Sequence, residues 1–144
     1  MEDNTSIFDK AEKPRMMINP DVQSATPDYM QEYERFIEAY KFTEVSGEEI
    51  GFLVARMSMY FSRYNMKLRD ALRNYSIIMR DFQIGVDETT GKPISSAKAE
   101  TLAAATPQAD TYNEMKIHVA NIQEHINSLK ALQKGAINEY SHSG

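Results

Sequence analysis

The sequence predicts an all-α fold: a long antiparallel, coiled-coil-like helical hairpin with a short N-terminal helix and an extended N-terminal arm. The first observation is an apolar seam, spaced alternately by four and three residues, that lasts for more than four heptads. A line of this period must face another long helix or a second copy of the chain. Its members are Ile50, Val54, Met57, Phe61, Tyr64, Leu68, Ala71, Tyr75, Ile78 and Phe82.

The second observation is a second seam of similar length near the C-terminus. Its members are Tyr112, Met115, Val119, Ile122, Ile126 and Leu129, then Leu132 or Gln133, Ala136 and Tyr140. The segment between the seams, 83–94, contains Asp, Thr, Gly and Pro, so it ends the first helix and forms a turn. A small β-hairpin between 84–86 and 93–94 could close this turn. Two seams joined by a compact turn predict an antiparallel pair of helices.

Capping residues predict where each helix begins. Thr26 as a cap and Pro27 as first helical residue predict a helix over 27–43, which we expect to pack across the hairpin. Ser46 and Glu49 form a capping box that opens a helix over 46–82. A serine at 95 or 96 caps a third helix over 96–105. The fourth helix covers 107–140, and Pro107 either restarts it as its first residue or kinks it.

These elements divide the chain into an arm, 1–25, and one helical hairpin domain, 26–144. The arm contains Pro14, Pro20, scattered charges and two small apolar clusters, Ile7-Phe8 and Met16 to Ile18. We expect it to be extended or disordered. The alternative is that these clusters lie in a groove of a neighbouring subunit.

Composition excludes several classes of protein. There is no cysteine, which excludes disulfides and thiolate chemistry. No apolar run approaches the roughly 18 residues that cross a bilayer, so we expect no membrane partner. The first residues are acidic and lack an apolar stretch, so we expect no secretion signal and an intracellular or virion location.

Charge is unevenly distributed along the chain. Residues 1–45 carry a net charge of −5, whereas 46–82 carry +2 and, within 54–80, a single acid, Asp70. The basic residues of the long helix are Arg56, Arg63, Lys67, Arg69, Arg73 and Arg80. Bases interleaved with aromatic rings suit single-stranded nucleic acid, in which cations meet phosphates and rings stack on bases. The same residues could instead pair with the acidic segment 27–45 or simply be solvated.

No pattern in the chain indicates catalysis. Glu114, His118, Asn121 and His125 lie along one helical line, which we interpret as a solvated or interface flank and not as a zinc site. The loop from Gly85 to Pro93 departs from the phosphate-binding motif in its spacing and in its missing hydroxyl. We therefore expect no enzyme, no cofactor and no metal.

The segment 95–135 resembles the C-terminal half of small phage recombination-mediator proteins of the UvsY type. The matching residues are Lys98 and Glu100 near a helix start, then, after a break, Ser128-Leu129-Lys130 in a long helix. With the preceding basic helix, the resemblance covers about 46–135. It implies a ring-forming, non-enzymatic protein that binds single-stranded DNA and helps to load a recombinase. On the charge map of this chain, the DNA contacts would be Arg56, Arg63, Lys67, Arg69 and Arg73.

The sequence thus predicts a viral, bacteriophage-type accessory protein of DNA transactions, in the host cytoplasm or the virion, that forms homo-oligomers and contacts single-stranded DNA or a DNA-associated protein. The alternative is a structural or packaged virion protein whose arm binds neighbouring subunits. The predicted self-association residues are Ile50, Val54, Met57, Phe61, Tyr64, Leu68, Tyr75, Ile122, Ile126 and Leu129.

Overall fold

A computed structural model describes residues 26–41 and 44–143, with side chains to residue 136. The chain divides into two units, Met1–Glu44 and Val45–Gly144, and each is described by itself. The described residues form four helices, and the predicted all-α class is confirmed. The helices are α1 (Asp28–Tyr40), α2 (Gly47–Gln83), α3 (Ser96–Ala104) and α4 (Pro107–Ser143).

The start of α1 differs by one residue from the prediction. Pro27 is the N-cap in an extended conformation, with no side-chain cap hydrogen bond, and Asp28 is the first helical residue. The Asp28 side chain accepts a hydrogen bond from its neighbour's N–H at 2.8 Å, while the Thr26 carbonyl accepts from the Gln31 amide at 2.9 Å. Thr26 is therefore outside the helix and was wrong as its cap. The predicted arm, 1–25, and residues 42–43 lie outside the described residues, and the packing of α1 across the hairpin stays a prediction.

Helix α2 begins where the capping box predicts. Ser46 Oγ accepts a hydrogen bond from the Glu49 N–H at 3.1 Å, which satisfies one of the unpaired donors of the first turn. The helix has 37 residues, a length of about 55 Å. Each member of its seam is buried or half-buried, whereas the opposite face is exposed. The predicted seam is therefore the packed face of α2.

Helix α4 packs antiparallel against α2, which confirms the predicted hairpin. Three contacts show that the two helices run in opposite directions, because the residue number on α4 rises as that on α2 falls. Tyr75 stacks on Tyr112, Tyr64 lies against His118, and Gln133 bonds to Gly47. The fully buried large side chains of this unit are Ile50, Met57, Ile122 and Leu129.

Helix α3 packs against both α2 and α4. Ala99 and Ala103 are fully buried, and their small side chains allow α3 to approach closely. The segment before α3 contains the predicted β-hairpin in reduced form, as one antiparallel bridge between Val86 and Pro93. Gly91 has a φ of 69°, a conformation that glycine adopts without strain, and its N–H donates to the Asp87 carbonyl.

A new helix starts at Pro107, which decides between the two predictions for this residue. Thr106 Oγ1 accepts a hydrogen bond from the Ala109 N–H at 3.3 Å and donates to the Ala103 carbonyl at 2.6 Å. Proline fits the first helical position because its missing N–H would have no partner there. The two long helices have equal length but are staggered, since α4 starts beside Ala71 and Asn74 of α2 and continues past Gly47.

Candidate nucleic-acid interface

The predicted self-association residues lie in the packed interior of the hairpin. Ile50, Met57, Ile122 and Leu129 are fully buried, Tyr64 and Ile126 almost so, and the other four are half-buried. A side chain covered by the facing helix could contact another chain only if the hairpin opened. Within one chain, these residues form the core of the hairpin. Their predicted role in contacts between chains stays a prediction.

The six predicted nucleic-acid contacts are all exposed on α2. At 100° per residue they fall into two lines along the helix, each about 16 Å long. The first line contains Arg56, Arg63 and Lys67. The second line contains Arg69, Arg73 and Arg80. The structure thus resolves a broadly basic face into two rows of cations.

Aromatic rings beneath the first line hold two of its cations. The Arg63 guanidinium lies 5.4 Å from the centroid of the Tyr60 ring, and Lys67 Nζ lies 4.7 Å from that of Tyr64. Each cation is attracted to the negative face of its ring. These contacts keep the two charges close to the helix surface while leaving the side chains exposed.

The cations of the second line form no ion pair with a described residue. Within the described part of the chain, no carboxylate oxygen lies within 4 Å of Arg69, Arg73 or Arg80. Three guanidinium groups in one row, none of them in an ion pair with a described residue, favour an anionic partner. Phosphate oxygens suit this row because a guanidinium can bind them with two parallel hydrogen bonds.

Two tyrosines of the α2 seam pack against aromatic rings of α4. The Tyr75 and Tyr112 rings are stacked with centroids 5.5 Å apart, and the Tyr64 ring lies 5.3 Å from the His118 ring. Neither tyrosine is therefore available for a nucleobase. The exposed ring of α2 is Phe52, at 70% exposure, which the sequence analysis did not select as a site. The sequence feature that could have identified Phe52 is its position opposite the seam, seven residues before Met59.

Phe52 belongs to an apolar row that we call the outward stripe. Its members within α2 lie between the two lines of cations, on the side opposite the seam, and its last member, Ile84, is the C-cap residue that follows the helix. They are Phe52, Met59, Met66, Ile77 and Ile84, with exposures of 70%, 64%, 64%, 43% and 76%. The outward face of α2 thus combines one apolar row with two basic ones.

The remaining candidates provide little chemistry. Glu114 Oε1 and His118 Nε2 lie 3.5 Å apart, and the described residues contain no group of three side chains placed to hold a metal ion. A shallow cavity where α4 begins is lined by residues without titratable groups. They are Ala71, Asn74, Pro107, Gln108 and Thr111.

None of the described helices combines the length and apolar character needed to cross a membrane. No family model matches the chain, and neither a curated protein nor a solved structure matches it.

Proposed function

We propose that this chain is a non-enzymatic, self-associating viral accessory protein of DNA transactions. It binds single-stranded DNA through the exposed bases of α2 and helps to load a recombinase, in the cytoplasm of the host cell. The observation that carries the proposal is the row of Arg69, Arg73 and Arg80, which is exposed and forms no ion pair with a described residue. The resemblance of 46–135 to UvsY-type mediators supports the same function.

Electrostatics explains how an acidic protein can bind a polyanion. The net charge of the chain is −5, but an interaction at close range depends on the local field of α2. At physiological salt, charges more than about 8 Å apart are largely screened from each other. Phosphates lying along the two lines of cations would therefore respond mainly to those six bases and to Asp70.

The test is a titration of fluorescent oligothymidylate with the full chain over a series of salt concentrations. If each of six cations contacts one phosphate, the logarithm of the binding constant falls against the logarithm of salt with a slope of about −4. No binding at low salt would contradict the proposal.

A charge-reversal variant locates the interface. Arg69→Glu, Arg73→Glu and Arg80→Glu together should abolish binding while the far-UV circular dichroism stays that of the parent. A matched control reverses three exposed bases of α4 instead: Lys116→Glu, Lys130→Glu and Lys134→Glu. Equal loss of affinity in both triple variants would show that only net charge matters, and would contradict a site on α2.

A structural or packaged virion protein is the second candidate. The acidic segment 1–45, with ten acids and five bases, favours it because an acidic segment next to a DNA-binding helix opposes binding. Mass spectrometry of purified virions distinguishes the two. Stoichiometric presence of this chain in virions, together with no DNA binding, would support the second candidate and contradict the first.

A further inference from the structure

The outward stripe is a regular row of exposed apolar side chains, spaced by seven, seven, eleven and seven residues, with the exposed Asp70 in its widest gap. Its four members within α2 fall within about 40° of one another, and the row extends over about 48 Å to the C-cap residue Ile84. Single exposed apolar residues are normal on a protein surface, whereas several on one face of a helix indicate an interaction site. All five side chains are exposed, so the row is not part of the hairpin core.

The spacing of the row is symmetric along the helix. Phe52 and Ile84 each lie sixteen residues from Leu68, and Met59 and Ile77 each lie nine residues from it. A two-fold axis beside Leu68 would therefore place the row of one chain against the same row of a second chain, with Met66 of both chains next to the axis. Self-complementarity of this kind is what a two-fold interface requires.

We infer that the outward stripe is a dimerisation surface, through which α2 packs antiparallel against α2 of a second copy of this chain. Phe52 meets Ile84 of the other chain, and Met59 meets Ile77. The dimer rests on the self-association part of the proposed function and on no part of its DNA binding.

The charges beside the row support this pairing. In an antiparallel pair, the same side of each helix faces the same side of the other. On one side, Arg56 then lies opposite Asp81. This pair occurs twice because of the two-fold axis, so two cations meet two carboxylates.

The other side of the pair is basic in both copies. Ala55 lies opposite Arg80 and Ser62 opposite Arg73, and these small side chains leave room for the guanidinium groups. Arg69 of each copy lies near the two-fold axis. The six guanidinium groups of the second line therefore gather along one side of the dimer, where a polyanion would reduce their mutual repulsion.

The buried area is sufficient for a specific but modest interface. A row of about 48 Å on a helix about 10 Å across presents roughly 500 Å² per chain, or about 1,000 Å² in total. This value lies at the lower limit of specific protein–protein interfaces. We therefore expect a dimer that dissociates on dilution.

Sedimentation equilibrium of the full chain tests the surface. The parent should approach twice its monomer mass of 16.4 kDa, and Met59→Glu should raise the dissociation constant at least tenfold. Ile117→Glu is the matched control, because Ile117 on α4 has an exposure of 60% but lies outside the stripe. It should leave the dissociation constant unchanged. A parent that stays monomeric, or equal effects of the two substitutions, would overturn the inference.

Disulfide cross-linking tests the orientation, because the natural chain has no cysteine. Phe52→Cys with Ile84→Cys should cross-link two chains on mild oxidation, whereas Phe52→Cys alone should not. The two positions are about 48 Å apart along α2 and its C-cap, so they cannot bridge within a chain. Rapid cross-linking of the Phe52→Cys single variant would indicate parallel helices and would overturn the antiparallel dimer.

The two proposals can fail separately. If the Arg69, Arg73 and Arg80 triple variant still dimerises while the parent binds no DNA, the proposed function fails and the dimer stands. If Met59→Glu and the parent bind DNA equally and both are monomeric, the dimer fails and DNA binding stands.

Discussion

The side-chain amide of Gln133 donates a hydrogen bond to the main-chain carbonyl oxygen of Gly47 over 3.0 Å. This bond joins α4 to the first residue of α2. The amide lies where a side chain at position 51 would begin, since a Cβ added to Gly51 would lie 2.8 Å from Gln133 Nε2. The absent side chain of Gly51 therefore provides the space for a bond between the two long helices.

This relationship predicts a coupling between positions 51 and 133. In a Gln133→Ala background, Gly51→Ala should stabilise the protein by about 1 kcal/mol, because alanine favours the helix. In the parent, the new methyl group displaces the amide, so the loss of about 1 kcal/mol of hydrogen bonding should cancel most of that gain. Urea unfolding of the four proteins measures the coupling. Equal gains in both backgrounds would contradict this coupling.

Thr106→Ala should destabilise the protein by about 1 kcal/mol, because it removes the oxygen that caps α4. Thr111 is the control, since its hydroxyl donates only to the Pro107 carbonyl within the helix. Thr111→Ala should be neutral or stabilise by up to about 0.7 kcal/mol, because alanine has the higher helix propensity. Thermal unfolding followed by circular dichroism compares the two. Similar destabilisation by both would argue against a capping role.

Ile122→Ala should cost about 2–5 kcal/mol of unfolding free energy, because Ile122 is fully buried and its truncation leaves a cavity. Ile117→Ala removes the same atoms from an exposed position of the same helix and should change stability by less than about 0.5 kcal/mol. Chemical denaturation of both variants is the measurement. A small cost at Ile122 would mean that the α4 seam is not packed in solution.

The carboxylate of Asp87 predicts an effect of pH. Its hydrogen bond to Lys98 and that to the Thr89 N–H lower the pKa of Asp87. A lowered folded-state pKa contributes stability that is present above the unfolded pKa of about 3.9 and is lost as the pH falls through the folded value. Asp87→Asn should therefore be less stable than the parent at pH 7, and the difference should shrink below about pH 3.9.

Lys98→Met controls for the partner of Asp87. It should remove most of the dependence of stability on pH that Asp87 causes in the acid range, because Lys98 is the largest cause of the lowered pKa of Asp87. Unfolding by urea at pH 7 and pH 3 measures all three proteins. A difference between Asp87→Asn and the parent that does not depend on pH would contradict a role for the charge.

Periodicity and capping chemistry predicted much of the fold. The seam of α2 and the starts at Ser46 and Pro107 follow from local rules, because a 3.5-residue period needs a facing helix and a serine oxygen satisfies an N-terminal N–H. The cap of α1 was wrong because Thr26 and Pro27 are both compatible with a helix start. Only the backbone conformation of Pro27 shows which residue precedes the helix.

The stagger of the two long helices was not predictable from the seams alone. Helix α3 lies between the two long helices in the chain and packs against both, with Ala99 and Ala103 buried. Phe52, Met59 and Met66 lie off the seam in the sequence, but spacing alone does not show whether such residues are covered. The exposures of these three, and of Ile77 and Ile84, define the stripe.

The most direct test of the hairpin is a nuclear Overhauser measurement between the rings of Tyr75 and Tyr112, whose centroids lie 5.5 Å apart. Isotope-labelled chain is diluted into an excess of unlabelled chain, so that contacts between labelled chains vanish and contacts within one chain remain. We predict that the cross-peaks persist with unchanged relative intensity. Their absence, or their loss on dilution, would show that the two seams do not pack against each other within one chain.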